Sequence, residues 1–184
     1  DYQGPSNDQV VIEKKNSNLK YKNVRINPSA NRIAYSNNEL GRYKIYVYDM
    51  EKEEQITIAG GGTRVKGQRV DYDMPLLDWV DDETLGMVYF KRGFLYLSTY
   101  NLETRESVDK PLTRFNKVEA FSFNDNGRLA VLSGEIDGNS DIYLISMRRN
   151  AIRRITDDIY DDEDPIFIPG TASVIFSSNR PADS

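Results

Sequence analysis

Two residue types are missing from this chain of 184 residues: it contains no cysteine and no histidine. Their absence excludes Ser-His-Asp and Cys-His catalytic groups, zinc sites and thiol redox chemistry within the chain. Oxygen-ligand metals such as calcium or magnesium, and chemistry performed by paired carboxylates, remain compatible with the composition. From the sequence we expect no catalytic residue, no metal site and no cofactor.

The chain also lacks an excess of basic residues and a long apolar run. It has 24 Lys and Arg against 29 Asp and Glu, which gives a formal net charge of −5. Nucleic-acid-binding proteins usually present a basic surface, so this class of function is disfavoured. No apolar run is long enough to span a bilayer, and we therefore expect no membrane insertion of this segment.

What the chain does contain is an internal repeat. Each copy has a short apolar strand, a polar turn, two further β-rich strands and a closing apolar-Thr pair. Three copies occupy approximately residues 24–57, 75–113 and 120–156, and a partial copy occupies residues 164–184. The period of roughly 44–52 residues is close to that of four-stranded propeller blades.

The composition of the strands favours the same architecture. Segments such as "KIYVYD", "FLYLS" and "DIYLIS" are rich in β-branched and aromatic residues and are apolar at nearly every position. This pattern is typical of a strand buried on both faces, and turn signals such as Asp137-Gly138 and Asn126-Gly127 argue against a helix. Residues 1–22 do not complete a copy, and their "QVVIEKKN" is a candidate outer strand of an earlier blade.

The most informative motifs lie in the last two copies: the Asn126-Gly127 turn, "GNSDIY", the Ile155-Thr156 ending and "SSNR" near the end of the chain. On these residues the chain resembles the TolB-like (WD-type) β-propeller repeat proteins of the bacterial cell envelope. The resemblance implies an all-β fold, namely a β-propeller segment of four-stranded antiparallel blades, with about three full blades plus partial ones. Such propellers close with about six or seven blades, so we expect this chain to be a piece of a longer protein.

Six carboxylates crowd into residues 157–164, between the third copy and the partial one. In a propeller this link lies on the same face as the loop between the second and third strands, "GEIDGNSD". Three interpretations stay open: a solvated connector, a partner-binding rim, or a calcium site, although the D-x-D-x-D-G spacing of an EF-hand is absent. The candidate partner-binding residues are Asp157, Asp158, Asp161, Asp162 and Glu163.

The loop "AGGGTRVKGQR" occupies the equivalent position after the first copy. Its glycines and basic residues suggest phosphate binding, but the P-loop spacing is absent and no helix is predicted to follow. A flexible link between blades is the favoured interpretation. Because this loop and the acidic run occupy equivalent positions in the repeat, both are expected on the same polar face. Arg64 and Lys66 are therefore candidate partner-binding residues whose charge is opposite to that of the acidic run.

Other patterns have a structural explanation that competes with a functional one. "MRRNAIRR" is basic enough to suggest nucleic acid, but it is predicted to be a hairpin at the exposed edge of a blade, where Arg and Lys prevent edge pairing. Trp79 and the tyrosines at equivalent positions suggest a sugar platform, but their fixed phase favours core packing. Carboxylate pairs such as Asp81-Asp82 could serve a glycosidase, although nothing in the sequence singles out two acids.

The sequence therefore predicts a non-catalytic protein-interaction scaffold that is part of a larger cell-envelope protein. The resemblance implies a periplasmic or outer-membrane-associated location and a protein or peptide partner in the envelope. Two alternatives remain. One is the substrate-gating propeller of a prolyl-peptidase-type multidomain hydrolase, and the other is a carbohydrate-active propeller. Propellers host many unrelated functions, so the fold alone does not choose among them.

Overall fold

The computed structural model describes residues 20–39, 41–62, 75–149 and 151–181, and these residues form four antiparallel sheets. No helix occurs among them, and so none that is long and apolar enough to cross a membrane. The all-β propeller prediction is confirmed: three sheets have four strands in sequential order and the fourth has two. The strands are β1 (Lys20–Ile26), β2 (Arg32–Glu39), β3 (Arg42–Asp49), β4 (Glu54–Gly61), β5 (Leu76–Trp79), β6 (Thr84–Lys91), β7 (Phe94–Asn101), β8 (Ser107–Pro111), β9 (Lys117–Phe123), β10 (Leu129–Ile136), β11 (Asn139–Ser146), β12 (Ala151–Arg154), β13 (Asp162–Phe167) and β14 (Val174–Ser178).

We refer to the sheets β1–β4, β5–β8 and β9–β12 as blades 1, 2 and 3, and to β13–β14 as the partial blade. Within blades 2 and 3 the second and third strands are joined by two-residue turns, Arg92-Gly93 and Asp137-Gly138. All four turn residues have positive φ, between 52° and 105°. Such turns match the right-handed twist of the flanking strands and therefore fix the register of each hairpin.

Several strand boundaries differ from those expected from the repeat. β1 begins at Lys20, within the segment 1–22 that was expected to precede the first blade. Its pairing with β2 shifts register between Lys22 and Arg25, and Asn23 has a φ of 55°. This bulge breaks the pattern of apolar residues along β1 and hides its first half from sequence analysis. Blade 1 also extends to Gly61, blade 3 begins at Lys117 and the partial blade begins at Asp162.

The apolar core lies between neighbouring blades. Ile45 and Val47 of blade 1 pack against Leu77 and Met87 of blade 2. Leu97 and Leu112 of blade 2 meet residues of blade 3 in a second cluster, and Val131 and Ile142 of blade 3 meet Phe167 of the partial blade in a third. A middle blade is thus buried on both faces, which explains why its strands are apolar at nearly every position.

The innermost strands β1, β5, β9 and β13 lie side by side in that order. The links between blades share one face of the molecule with the turns that join second and third strands, and we call this the link face. Two contacts establish it: the Asn139 Nδ2 donates to the carbonyl of Asp158 (3.3 Å), and the Asn116 N–H donates to the carbonyl of Glu135 (2.9 Å). The acidic link and the β10–β11 turn are therefore neighbours, as the sequence predicted.

On the opposite face, hydrogen bonds between neighbouring blades involve the turns that join the first and second strands. The carboxylate of Asp82 in blade 2 accepts hydrogen bonds from the Ser29 N–H (2.7 Å) and the Ser29 hydroxyl (2.6 Å) of blade 1. The carboxylate of Asp125 in blade 3 accepts one from the Gly170 N–H (2.8 Å) of the partial blade. These bonds fix the angle between blades and so position the link face.

Candidate functional site

The acidic link joins β12 to β13 and crosses the link face. It contains Asp157, Asp158 and Asp161, while Asp162 and Glu163 open strand β13. Like charges so close in sequence repel one another, so an ordered link needs compensating cations. The structure supplies two, one from each side of the link: Arg154 from the end of β12 and Arg180 from beyond β14.

Arg180 binds two of the carboxylates. Its Nη2 lies 2.5 Å from the Asp158 Oδ2 and 2.8 Å from the Asp162 Oδ2, and its Nε also donates to Asp158 at 2.9 Å. Asp162 is completely buried. A buried carboxylate is strongly destabilising unless it is paired, so Arg180 is required for the folded link. The "SSNR" motif thus gains a physical role: its arginine closes the link onto the partial blade.

Arg154 makes the second clamp. Its Nη2 lies 2.5 Å from the Oδ2 of the buried Asp141, and its Nη1 lies 2.6 Å from Asp157. The other carboxylate oxygen of Asp141 accepts a hydrogen bond from the Thr156 hydroxyl (3.2 Å), which in turn accepts one from the Ile142 N–H (3.0 Å). The Asp-Ile-Tyr and Ile-Thr motifs of the repeat therefore meet in one hydrogen-bonded group that anchors the start of the link.

Asp161 and Glu163 have different surroundings. The Asp161 N–H donates to the Asn179 Oδ1 (3.0 Å), and the Asn179 N–H donates to the Asp161 carbonyl (3.2 Å). The Asp161 carboxylate accepts two weak hydrogen bonds, from the Asn179 Nδ2 (3.4 Å) and from the Ser140 N–H (3.4 Å). Glu163 is exposed, and its backbone carbonyl accepts a hydrogen bond from the Ser177 hydroxyl (3.1 Å). Its carboxylate is presented to solvent.

These contacts keep the link charged but locally compensated. The N–H of Tyr160, and then the guanidinium of Arg180, hold the pKa of Asp158 below its ordinary value. The carboxylates of Asp158 and Asp162 raise the pKa of Arg180, and Asp141 does the same for Arg154. Within the described ranges, no three acidic side chains converge into a group that could hold a metal ion.

The five predicted carboxylates therefore divide into two sets. Asp158 and Asp162 hold the link in place, whereas Asp157, Asp161 and Glu163 are exposed on the link face. The side chain of Asp157 is 77% exposed, even though it contacts Arg154. Between the clamps, Ile159 is 81% exposed, and the sequence analysis did not single it out.

The opposite-charge sector lies outside the described residues: Arg64 and Lys66 both fall in the range 63–74. The described part of that link ends at Gly62, which has a φ of 81°. A Cβ at this position would lie 2.1 Å from the carbonyl oxygen of Gly41, so the close approach of the link to the β2–β3 turn requires glycine.

The aromatic residues weighed as a sugar platform belong largely to the core. Trp79 and Tyr143 are buried between blades, and the Trp79 Nε1 donates to the carbonyl of Arg25 (3.1 Å). Tyr46 is buried as well, while Tyr96 is half-buried. The second half of "MRRNAIRR", Ala151–Arg154, forms the exposed edge strand β12, and Arg154 at its end faces the acidic link. Only the pairing of opposite charges across the link, which sequence spacing does not reveal, distinguishes Arg154 from its neighbours.

Comparison with known proteins agrees with this fold. No protein-family model matches the chain, and no curated protein matches it in sequence. Among solved structures the chain is similar to TolB from Acinetobacter baumannii, with a TM-score of 0.59 and 22% sequence identity; the match covers 89% of this chain and 36% of that one. A protein described as TolB from Agrobacterium tumefaciens gives 0.62 and 17% identity, covering 83% and 52%.

The same architecture also occurs in a protein described as dipeptidyl aminopeptidase IV from Bacteroides ovatus. Its TM-score is 0.62 at 13% identity, and the match covers 91% of this chain and 33% of that one. The chain thus spans about a third to a half of the length of these three structures. Its fold is that of a TolB-like β-propeller segment.

Proposed function

We propose that this chain is the propeller segment of a larger cell-envelope protein, in the periplasm or associated with the outer membrane, and that it is a non-catalytic scaffold for protein partners.

The observation that supports the scaffold function most is the construction of the acidic link. Arg154 and Arg180 hold its two ends, while Ile159 between them is 81% exposed. The link is a fixed display of one apolar side chain among acidic ones.

Such a display suits recognition of another protein. A pre-organised loop pays little conformational entropy on binding, and a large apolar side chain at the centre of a polar rim is a typical anchor of an interface. The exposed carboxylates of Asp157 and Glu163 favour a partner with basic residues around an apolar pocket, because complementary charges orient the encounter. The similarity to TolB structures agrees with this function but by itself concerns the fold.

The proposal is tested by capturing partners from an envelope extract with the full chain and identifying them by mass spectrometry. Each identified partner is then purified, and its affinity is measured for the wild type and for an Asp157→Asn/Glu163→Gln variant. Both residues are exposed and neither is buried against another blade. The variant removes the contact between Arg154 and Asp157, but it keeps the pair of Arg154 with the buried Asp141 and both pairs of Arg180. We expect the affinity of an authentic partner to fall about tenfold or more.

A matched control is Glu103→Gln/Glu106→Gln, which removes the same charge from exposed residues in the β7–β8 turn on the opposite face. Equal losses of affinity in the two variants would indicate a general charge effect. If the link variant binds the partner with unchanged affinity, the acidic link is a solvated connector and not a binding site.

The similarity to the dipeptidyl aminopeptidase IV structure supports a second candidate, a propeller that gates substrate entry to a hydrolase domain. The absence of histidine places any catalytic triad outside this chain. Hydrolysis of fluorogenic proline-containing dipeptides by the full-length parent protein would favour this candidate. Partner capture by the acidic link without such hydrolysis would favour the scaffold.

A further inference from the structure

A cleft of about 610 Å³ opens on the link face of blade 3, between the links that precede and follow this blade. Its walls come from the link after β8, the β10–β11 hairpin, strand β12 and the acidic link. It is separate from the groove along the innermost strands, which is lined by β1, β5, β9 and β13. The volume lies within the range of ligand-binding clefts in proteins.

The base of the cleft consists of two buried aromatic side chains, Phe115 and Tyr143. The rings of Phe115 and Tyr143 pack edge to face with their centroids 4.8 Å apart. Phe115 fits here because residue 134 is glycine: a Cβ would lie 2.7 Å from its ring. Ile136, Ile152 and Ile159 line the same cleft, so the walls offer an apolar surface to a ligand.

Some of the charged side chains around the cleft have an ion-pair partner and others do not. Asp157 and Asp158 line it, but Arg154 and Arg180 bind them. Arg114 is exposed, and it makes no hydrogen bond or ion pair with any residue in the described ranges. Arg114 and Arg154 line the cleft together with Tyr143. Burial raises the pKa of Tyr143, and the positive charges of both arginines oppose this rise.

We propose that this cleft binds a peptide segment of a partner protein that presents a carboxylate to Arg114 beside an aliphatic side chain packed on Ile152 and Ile159. An arginine that has no partner is a ready site for a carboxylate, because the guanidinium supplies paired N–H donors. Asp137, which lines the cleft beside the β10–β11 turn, favours a segment with N–H donors rather than a second acid. The inference deepens the proposed function and rests on it for the identity of the occupant as a protein. The basic residues of that protein face Asp157 and Glu163, whereas the single carboxylate proposed here faces Arg114.

The smallest probe of this chemistry is N-acetyl-leucine, which has the carboxylate and the aliphatic side chain; N-acetyl-leucinamide is its neutral counterpart. Both are titrated into the full chain with labelled isoleucine methyl groups and followed by NMR. We expect the carboxylate probe to shift the methyl signals of Ile136, Ile152 and Ile159 with an affinity in the millimolar range, while the buried Ile45 of blade 1 stays unchanged. The amide should bind about tenfold more weakly.

The variant is Arg114→Gln, and its matched control is Arg128→Gln, an exposed arginine in the β9–β10 turn on the opposite face. Loss of the shifts in the first variant and their retention in the second would support the cleft as a carboxylate-peptide site. Absent shifts, equal shifts with acid and amide, or equal shifts in both variants would overturn it. Failure of this test would not decide the proposed function, because that function is tested separately by the affinity of captured partners for the Asp157→Asn/Glu163→Gln variant.

Discussion

Arg180 lies just beyond β14 and Asp162 opens β13, and the Arg180 Nη2 donates to the Asp162 Oδ2 at 2.8 Å. Asp162 has no exposed surface, and its other carboxylate oxygen, Oδ1, is buried without a hydrogen-bond partner among the residues the structure describes. The carboxylate thus depends on a single guanidinium from beyond β14. This dependence couples the order of the link to the edge of the partial blade.

We predict that Arg180→Gln destabilises the chain, because it leaves the buried Asp162 without its cation. Loss of one partner of a buried ion pair is more costly than loss of an exposed pair. The Tm should fall by about 5 °C, measured by circular dichroism at neutral pH. Arg153→Gln on the exposed strand β12 is the control and should change the Tm little. Equal Tm values for the two variants would contradict the clamp.

Lys110 of blade 2 is a buried cation that connects this blade to blade 3. It is 7% exposed, and its Nζ donates to the carbonyl of Ser146 at 2.5 Å and to the carbonyl of Arg149. Lys110→Met preserves the length of the side chain but leaves both carbonyls without this donor. We expect the free energy of unfolding in urea to fall by about 1–3 kcal/mol. An unchanged value would mean that desolvation of the ammonium offsets its hydrogen bonds; the exposed Lys52→Met is the control.

The ring of Phe123 on β9 packs closely against Gly86 on β6, and this contact is possible because glycine has no side chain. A Cβ at residue 86 would lie 2.2 Å from the Phe123 ring, so Gly86→Ala should force blades 2 and 3 apart. We expect a loss of about 1–3 kcal/mol, the usual cost of overpacking. In a double-mutant cycle, Phe123→Leu should recover part of this loss. Strictly additive losses would show that the two residues do not compete for the same space.

Asp78 on β5 provides a prediction of pH dependence. Burial raises its pKa above the ordinary 3.8, although the Trp79 N–H bound to its Oδ1 (3.0 Å) and the charge of Arg25 oppose the rise. The folded state therefore binds more protons than the unfolded state between 3.8 and the raised pKa, and the wild type gains stability as the pH falls through that window.

Asp78→Asn removes this dependence and can keep the hydrogen bond from Trp79 through the amide oxygen. The variant should be more stable than the wild type at pH 7, and its advantage should disappear as the pH falls towards 3.8. Urea unfolding at several pH values measures the difference. A variant that is less stable than the wild type at pH 7 would show that the charge of Asp78 is favourable where it lies.

The blade architecture could be predicted from particular residues. Asp137-Gly138 and Asn126-Gly127 place turns between strands, and the tyrosines at equivalent positions keep the phase of the repeat. These are local signals, since a glycine in a turn or an apolar strand has the same meaning in every copy. The prediction of strand bounds was less accurate at β1, because the bulge between Lys22 and Arg25 changes which side chains point inwards.

Local sequence signals do not predict which carboxylates of the acidic run are buried and which are exposed. In the sequence, Asp158, Asp162 and Glu163 are equivalent members of one charged stretch. In the structure, Asp162 is buried against Arg180, Asp158 shares that arginine, and Glu163 faces solvent. The residue that distinguishes them is Arg180 from beyond β14, and no spacing rule connects that position to the link.

The sequence by itself determined the repeat, the strand-rich composition and the exclusion of histidine and cysteine chemistry, because these depend on residue type and local spacing. Only the tertiary structure decided which carboxylates are structural and which are displayed, and that Arg114, Phe115 and Tyr143 meet in one cleft. The reason is physical: burial and ion pairing depend on distances between blades, and these distances arise when blades pack against one another.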